Sequence, residues 1–257
     1  MIDTTKKIQL FLGDCLEVMK EIPAKSIDLI LCDLPYGITA RNKWDIILDF
    51  NKLWEQYNRI RRGNTAMIFT ATQPFASLLV CSNKSLFKYE WIWQKTTITG
   101  VLNAKIQPVR NHEQILVFYE SQPTYNPQNL IKVNKITKQG TSSKNYGQRT
   151  ENNEYFQEYS NYPRTVQLVA SEGKKLHPTQ KPVALMEYLI KTYTNEGHLI
   201  LDNCMGSGTT GVACKNSNRR FIGIEKEEQY MKIAQERIKN ANREKEDRQA
   251  EKKEVDR

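Results

Sequence analysis

The stretch Ile27-Asp28-Leu29-Ile30-Leu31-Cys32 constrains this chain more than any other, because it runs straight into Asp33-Leu34-Pro35-Tyr36 and Gly37. A short apolar run rich in branched residues reads as a buried strand. It ends in a carboxylate, a proline that fixes the backbone, and an aromatic ring. In an open α/β sheet, binding and chemistry collect at the carboxyl ends of the strands. In isolation such a tetrapeptide is an ordinary strand followed by a turn. The surrounding pattern gives it weight.

That pattern alternates. Ile8–Leu12 reads as a strand ending at Gly13-Asp14, with a short helix over Cys15–Ile22 for which Asp14 is a suitable N-cap. Phe50–Arg61 has helical spacing through Leu53, Trp54, Tyr57 and Ile60. Thr65–Thr70 reads as a strand and Pro74–Val80 as a helix, proline being suited to a first turn. Tyr89–Trp93 and Gln114–Tyr119 read as strands, separated by a polar stretch, Thr96–Asn111, too long for a tight hairpin. Trp91 and Trp93 alternate along their strand, which places at least one in the core. Further on, Val183–Tyr193 is an amphipathic helix, and His198–Asp202 and Arg220–Glu225 are strands. A last helix starts near Glu227, with Tyr230, Ile233, Ala234 and Ile238 as its apolar face, which vanishes beyond Asn240. Strand–helix alternation of this kind predicts a mostly parallel, Rossmann-like sheet in an α/β fold.

Between Ser121 and Leu176 the periodicity fades. Eight basic residues (Lys132, Lys135, Lys138, Lys144, Arg149, Arg164, Lys174, Lys175) stand against four acids (Glu151, Glu154, Glu158, Glu172), interleaved with tyrosines 125, 146, 155, 159 and 162. Amides and basic groups read base edges and phosphates, and aromatic rings stack on bases. A solvated insert has the same composition. The net charge of the chain is +9, while its last fifteen residues, 243–257, hold six basic and six acidic side chains. The excess therefore lies in the body, as a polyanionic partner would require. Five cysteines without a C-x-x-C pair, three histidines, no secretory leader and no membrane-length apolar run describe a reduced, cytoplasmic protein without a metal site.

The loop after His198–Asp202 carries Gly206-Ser207-Gly208-Thr209-Thr210-Gly211, directly before a helix. Glycine admits close approach of a ligand to the backbone, and a helix start offers free N–H groups. Glu225, ending the next strand, is placed to hold ribose hydroxyls. These features predict an adenosine-containing cofactor. The spacing G-x-G-x-x-G equally suits a nicotinamide-dependent oxidoreductase.

Four motifs in fixed order separate these readings: Gly13-Asp14-Cys15, Asp33-Leu34-Pro35-Tyr36, His177-Pro178-Thr179-Gln180-Lys181-Pro182 and Asp202-x-x-x-Gly206-Ser207-Gly208. Together the chain resembles the β-class of S-adenosylmethionine-dependent DNA amino-methyltransferases, which modify adenine N6 or cytosine N4. The resemblance covers roughly Ile8–Ile238 and implies a circularly permuted motif order. Residues 1–120 would form the catalytic half, 121–176 the target-recognition insert, 177–242 the cofactor-binding half and 243–257 a charged tail. It implies that Asp33 and the Leu34 carbonyl accept the two hydrogens of the target amine, that Pro35 shapes the turn, and that Tyr36 stacks on a base flipped out of double-stranded DNA. Asp14 would bind the cofactor's adenine and Glu225 its ribose, with Cys15 and Asp33 also among the residues expected to touch the cofactor. Asp202, Gly206, Ser207, Gly208 and Thr209, with Thr179 and Lys181, would surround its methionine portion. By the resemblance, an acid rather than serine at position 33 favours adenine N6 over cytosine N4; the same fold acting on cytosine N4 or on RNA is the alternative. The family permits a homodimer and a cognate restriction endonuclease. Arg41, Lys43 and Trp44, in the loop after the Asp33 strand, would clamp DNA or form a solvated loop. Departures from the family pattern are Leu34 in place of proline, and Asn203-Cys204 in place of Pro-Phe, the latter weakening packing near the cofactor. The remaining rivals are a nicotinamide-dependent oxidoreductase and a catalytically silent DNA-binding regulator.

Overall fold

Alternation along the buried strands decides which helices they carry. The computed structural model describes residues 1–37, 45–138, 154–172 and 180–255, those from 242 onward by backbone alone. Arg41, Lys43, Trp44, Lys144, Tyr146, Arg149, Glu151, Lys174, Lys175, His177 and Thr179 lie outside the described residues. The elements are β1 (Ile8–Leu12), α1 (Cys15–Met19), β2 (Ile27–Cys32), α2 (Phe50–Ile60), β3 (Arg61–Ala71), α3 (Phe75–Ser82), β4 (Phe87–Thr99) and β5 (Arg110–Phe118). They continue with β6 (Ile131–Lys138), β7 (Glu154–Ser160), β8 (Val166–Leu168), α4 (Val183–Tyr193), β9 (Leu199–Asp202), α5 (Thr209–Asn216), β10 (Arg220–Glu225) and α6 (Glu228–Val255).

Eight strands form one sheet in the order β1-β10-β9-β2-β3-β5-β4-β8. The left side is parallel, with Ile30 of β2 opposite Leu201 of β9 on one flank and Met67 of β3 on the other. β5 then runs antiparallel to both β3 and β4, and β8 adds to β4 in parallel. The chain's first strand thus lies beside its last, and β9, far along the chain, lies beside β2. This is a Rossmann-like sheet in the permuted order that the resemblance implies.

Side chains of successive residues in β2 point to opposite faces. Ile30 and Cys32 face a cluster with Met19, Leu53, Trp54, Tyr57 and Phe75, contributed by α1, α2 and α3. Leu29 and Leu31 face the opposite cluster with Met186, Leu189, Val212, Ala234 and Ile238, from α4, α5 and α6. Helices therefore cover both faces, and a central strand needs apolar residues at every position. Each fully buried aliphatic side chain contributes roughly 1.5–3 kcal/mol on leaving water.

Helix α2 illustrates the local logic. Asp49 caps it by accepting the Asn51 and Lys52 N–H groups, and Leu53, Trp54, Tyr57 and Ile60 bury one stripe. Trp91 and Trp93, two residues apart, share a face of β4 and are both buried. The sequence places the apolar stripe of α6 through Tyr230, Ile233, Ala234 and Ile238. Ala234 and Ile238 are packed as expected, together with Met231 and Ala241, while Ile233 and Tyr230 are half-buried, Tyr230 at the cavity described below.

Two compact units result: Met1–Asn126 with Thr165–Arg257, and Pro127–Arg164. The second is built on the antiparallel pair β6–β7, in which Ile136 lies opposite Phe156. Among the described residues no helix is long and apolar enough to cross a membrane.

Candidate active site

Because β1, β10, β9 and β2 are parallel neighbours, their carboxyl ends open on the same edge. A cavity of about 550 Å³ lies there. That volume is within the range of about 300–1,000 Å³ usual for small-molecule and cofactor sites. Asp14 and Cys15 line it after β1, Asp33, Leu34, Pro35 and Tyr36 after β2, and Asp202, Gly206, Ser207 and Thr209 after β9. Glu225 lines it at the end of β10, and Lys181 enters just ahead of α4. Gly208 stands behind the lining as the turn into α5, and Thr179 is outside the described residues. Residues about 170 positions apart in sequence, Tyr36 and Gly206, share one cavity.

The glycine loop is tightly held. Gly206 and Gly208 both take left-handed backbone conformations, with φ of +52° and +78°. A Cβ at Gly208 would lie 2.8 Å from the Ala234 Cβ, so this glycine also lets α6 pack against the loop. Arg237 of α6, which sequence reasoning did not single out, is buried and donates from Nη1 to the Ser207 carbonyl at 2.7 Å, the Ser207 Oγ at 2.9 Å and the Thr209 Oγ1 at 3.1 Å. Its one advance signal was a cation beside an otherwise apolar helical stripe. We expect Arg237→Met to weaken binding of S-adenosylhomocysteine by about tenfold or more, the loss of charge-assisted hydrogen bonds. Titration calorimetry reads this directly, and unchanged affinity would remove Arg237 from the loop's support.

The acids around the loop differ in character. Glu225 accepts the Gly206 N–H through Oε2 at 2.8 Å and the Glu227 N–H through Oε1 at 2.8 Å. Burial raises its pKa, against the lowering effect of these N–H donors. Asp14 caps α1, accepting the Leu16 N–H at 2.8 Å. Asp202 is buried and receives the Thr210 hydroxyl at 2.6 Å and the Cys204 N–H at 3.1 Å. Burial outweighs those bonds and pushes its pKa up to about 7.

Asn203 and Cys204 occupy the positions where a proline and a large ring were expected. The Asn203 Oδ1 accepts the buried Tyr57 hydroxyl at 2.6 Å, tying the loop to α2. This polar tie supplies part of the anchoring that the ring would otherwise give. Cys204 lies against Cys15 and Cys32, and burial pushes the Cys32 thiol up to about 12.

Asp33 is the centre of the other half. Its Oδ1 accepts the Tyr36 hydroxyl at 2.6 Å and the Thr70 hydroxyl, and its Oδ2 accepts the Lys181 Nζ at 2.6 Å. One face of the Tyr36 ring rests on Phe75, with centroids 5.0 Å apart and planes 29° apart. The Lys181 Nζ stands 5.6 Å from the centroid of the Tyr36 ring. Burial works against the Lys181 ammonium, yet the charges of Asp33 and Glu113 prevail and its pKa stands above the ordinary lysine value. Burial, then the negative charges of Asp33 and Glu113, raise the Tyr36 hydroxyl well above its usual range. Thr70, Phe75, Lys95 and Glu113 were not identified from sequence: the β2–β3 ladder brings Thr70 here, β3–β5–β4 pairing brings Lys95 and Glu113, and Phe75 opens α3.

This geometry has close relatives. The family model described as DNA methylase, for N6 and N4 methyltransferases, matches residues 27–236. The type II methyltransferase M.HpaI of Haemophilus parainfluenzae is 30% identical over 242 residues, covering 90% of this chain and 74% of that protein. The DNA adenine methyltransferase YhdJ of Escherichia coli K12 is 30% identical over 242 residues, covering 88% of this chain and 81% of that protein. The crystal structure of M1.HpyAVI in complex with S-adenosylmethionine superposes with a TM-score of 0.61 at 27% identity, covering 90% of this chain and 99% of the other. With residues 33–36 and the glycine loop lining one cavity, the chain belongs to the N6/N4 DNA methylase family, β-class S-adenosylmethionine-dependent DNA methyltransferases that act on adenine or cytosine.

Proposed function

We propose that this chain transfers a methyl group to the N6 amine of adenine in double-stranded DNA, in the cytoplasm. The observation that carries this reading is the single cavity shared by the acid-headed tetrapeptide and the glycine loop. The similarity to YhdJ, described as a DNA adenine methyltransferase, favours adenine as the base.

The residues fit the cofactor: a loop of left-handed glycines at the mouth of α5, an acid at the end of the adjoining strand, and a cavity of suitable size. Asp14 and Glu225 would hold its adenosine end. Asp202 and residues 206–209, with Lys181 and Thr179, would hold its methionine end. When bound, S-adenosylmethionine supplies an electrophilic methyl group on a sulfonium.

An exocyclic amine is a poor nucleophile because its lone pair is delocalised into the ring. Two acceptors on its hydrogens, the Asp33 carboxylate and the Leu34 carbonyl, localise that pair on nitrogen. Asp33 also stabilises positive charge developing on the amine, a fixed electrostatic contribution in a partly buried site. Tyr36, backed by Phe75, offers a ring for the extruded base, and holding the reactants at contact removes much of the entropic barrier. The basic and tyrosine-bearing segment within 121–176 would read the DNA.

The test is incubation with tritiated S-adenosylmethionine and unmethylated bacterial genomic DNA, followed by nucleoside analysis. Label in N6-methyladenine is expected. Label in N4-methylcytosine would overturn the base assignment, and label confined to RNA would overturn the substrate.

A further inference from the structure

Asp33 does not face the cavity alone. Glu113, on β5 at the position paired with Trp93 of β4, is buried beside it. Lys95 binds Glu113 through Oε1 and lies 4.8 Å from the centroid of the Trp93 ring. The other oxygen, Oε2, is buried with no hydrogen-bond partner among the described residues, and stands 3.4 Å from the Lys181 Nζ. Lys181 is therefore between two carboxylates, bonded to one at 2.6 Å and just short of bonding the other.

The arrangement poses a chemical difficulty that Glu113 resolves. A carboxylate has about four lone-pair directions, and three at Asp33 are taken by Tyr36, Thr70 and Lys181. An ammonium on Oδ2 weakens that oxygen as an acceptor and opposes positive charge forming on a nearby amine. Yet a buried ammonium cannot be left without a counter-charge. Closing 3.4 Å to the usual charged hydrogen-bond length of about 2.8 Å satisfies both demands.

We propose that Glu113 is a positioning residue for methyl transfer: it takes Lys181 from Asp33 as the target base enters, freeing Oδ2 to accept a hydrogen of the amine. Lys181 is thus a two-position cation, resting on Asp33 before the base arrives and on Glu113 afterwards. Lys95 holds Glu113 by its far oxygen so that the near one stays aimed at Lys181. No bond to carbon is made or broken by Glu113, and the net charge of the four groups is unchanged by the move. This rests on the reading of Asp33 given above.

The test compares wild type, Glu113→Gln, Glu113→Asp, Lys181→Gln and the double variant Glu113→Gln/Lys181→Gln. Methylation of unmethylated bacterial genomic DNA gives kcat and KM. Calorimetry with S-adenosylhomocysteine and thermal unfolding report the cofactor site and the fold. Glu113→Gln is expected to lower kcat about tenfold, with affinity for S-adenosylhomocysteine within twofold and the melting temperature little changed. Glu113→Asp, which keeps the charge, is expected to recover part of the loss. In the Lys181→Gln background the Glu113→Gln change is expected to cost less than a further twofold. An unchanged kcat in Glu113→Gln, or a full further tenfold loss in the double variant, overturns the proposal. So does a fall in cofactor affinity equal to the fall in kcat. Should Glu113→Gln fail to fold, a kcat in a folded Glu113→Asp below a tenth of wild type does the same. Nucleoside analysis of the wild-type product keeps the outcomes apart: label in N4-methylcytosine changes the base assignment and leaves the Lys181 cycle to be judged separately.

Discussion

Asp33→Asn is expected to lower the rate of methyl transfer on the order of 10²–10³-fold, the usual effect of removing one fixed electrostatic partner of a reacting group. Asparagine keeps the shape and one acceptor oxygen but loses the negative charge opposite the amine. The glycine loop sits between β9 and α5, beside the end of β10, and none of its hydrogen bonds described above involves Asp33. Affinity for S-adenosylhomocysteine should therefore change by only a few-fold. The substitution also leaves Lys181 with Glu113 as its carboxylate partner, so the fold should survive. Initial rates with labelled cofactor, set beside calorimetry, separate the two effects. Undiminished methylation by Asp33→Asn would mean that another group activates the amine.

The second large effect concerns pH and Asp202. With its folded pKa near 7 against an ordinary value of 3.8, the folded chain retains a proton there that the unfolded chain has released between those two values. The stability this contributes is complete below about pH 4 and is lost as pH rises towards 7, where the buried group ionises. Asparagine has no such titration. The stability of Asp202→Asn relative to wild type should therefore rise by about 1.4 kcal/mol per pH unit, on the order of 4 kcal/mol across the window, and level off above about pH 7. Urea denaturation of both proteins from pH 5 to 8.5 without cofactor measures this difference. A flat difference over that range would show that Asp202 is ionised in the folded chain throughout.

Much of this was legible in the residues themselves, for a physical reason. Ile27–Cys32 begins and ends where its apolar run does, because a strand covered on both faces is apolar almost throughout, and Ile8–Leu12, half-buried at the edge of the sheet, is delimited by Gly13 and by the polar residues before Ile8. The meeting of Tyr36 and Gly206 followed from motif order plus the rule that loops gather at the carboxyl edge. β3 was harder to delimit. Its first residues, Arg61–Asn64, are largely exposed and carry no apolar signal, so the sequence suggests a start at Thr65. β6 and β7 left no trace either, since neither has a buried face to impose alternation. Val166–Leu168 lies within the polar stretch assigned to target recognition, yet it pairs with β4 at the edge of the main sheet. Glu113 and Lys95 joined the site only through antiparallel pairing of β5 with β3 and β4, Thr70 through the parallel β2–β3 ladder, and Arg237 only through the docking of α6 on Gly208. Such partnerships depend on register, which no local pattern specifies.

The segment 127–164 leaves and rejoins its parent body at anchored points. Asn126 donates its backbone N–H to the Thr192 carbonyl at 2.7 Å, and the Thr165 carbonyl accepts the Ile92 N–H at 2.8 Å. Among the described residues, no strand of the eight-stranded sheet is drawn from between those anchors. Lengthening, shortening or replacing that cassette therefore leaves the ladder between β2 and β9 whole. A lineage built on this plan is free to diversify there while its chemistry is inherited intact.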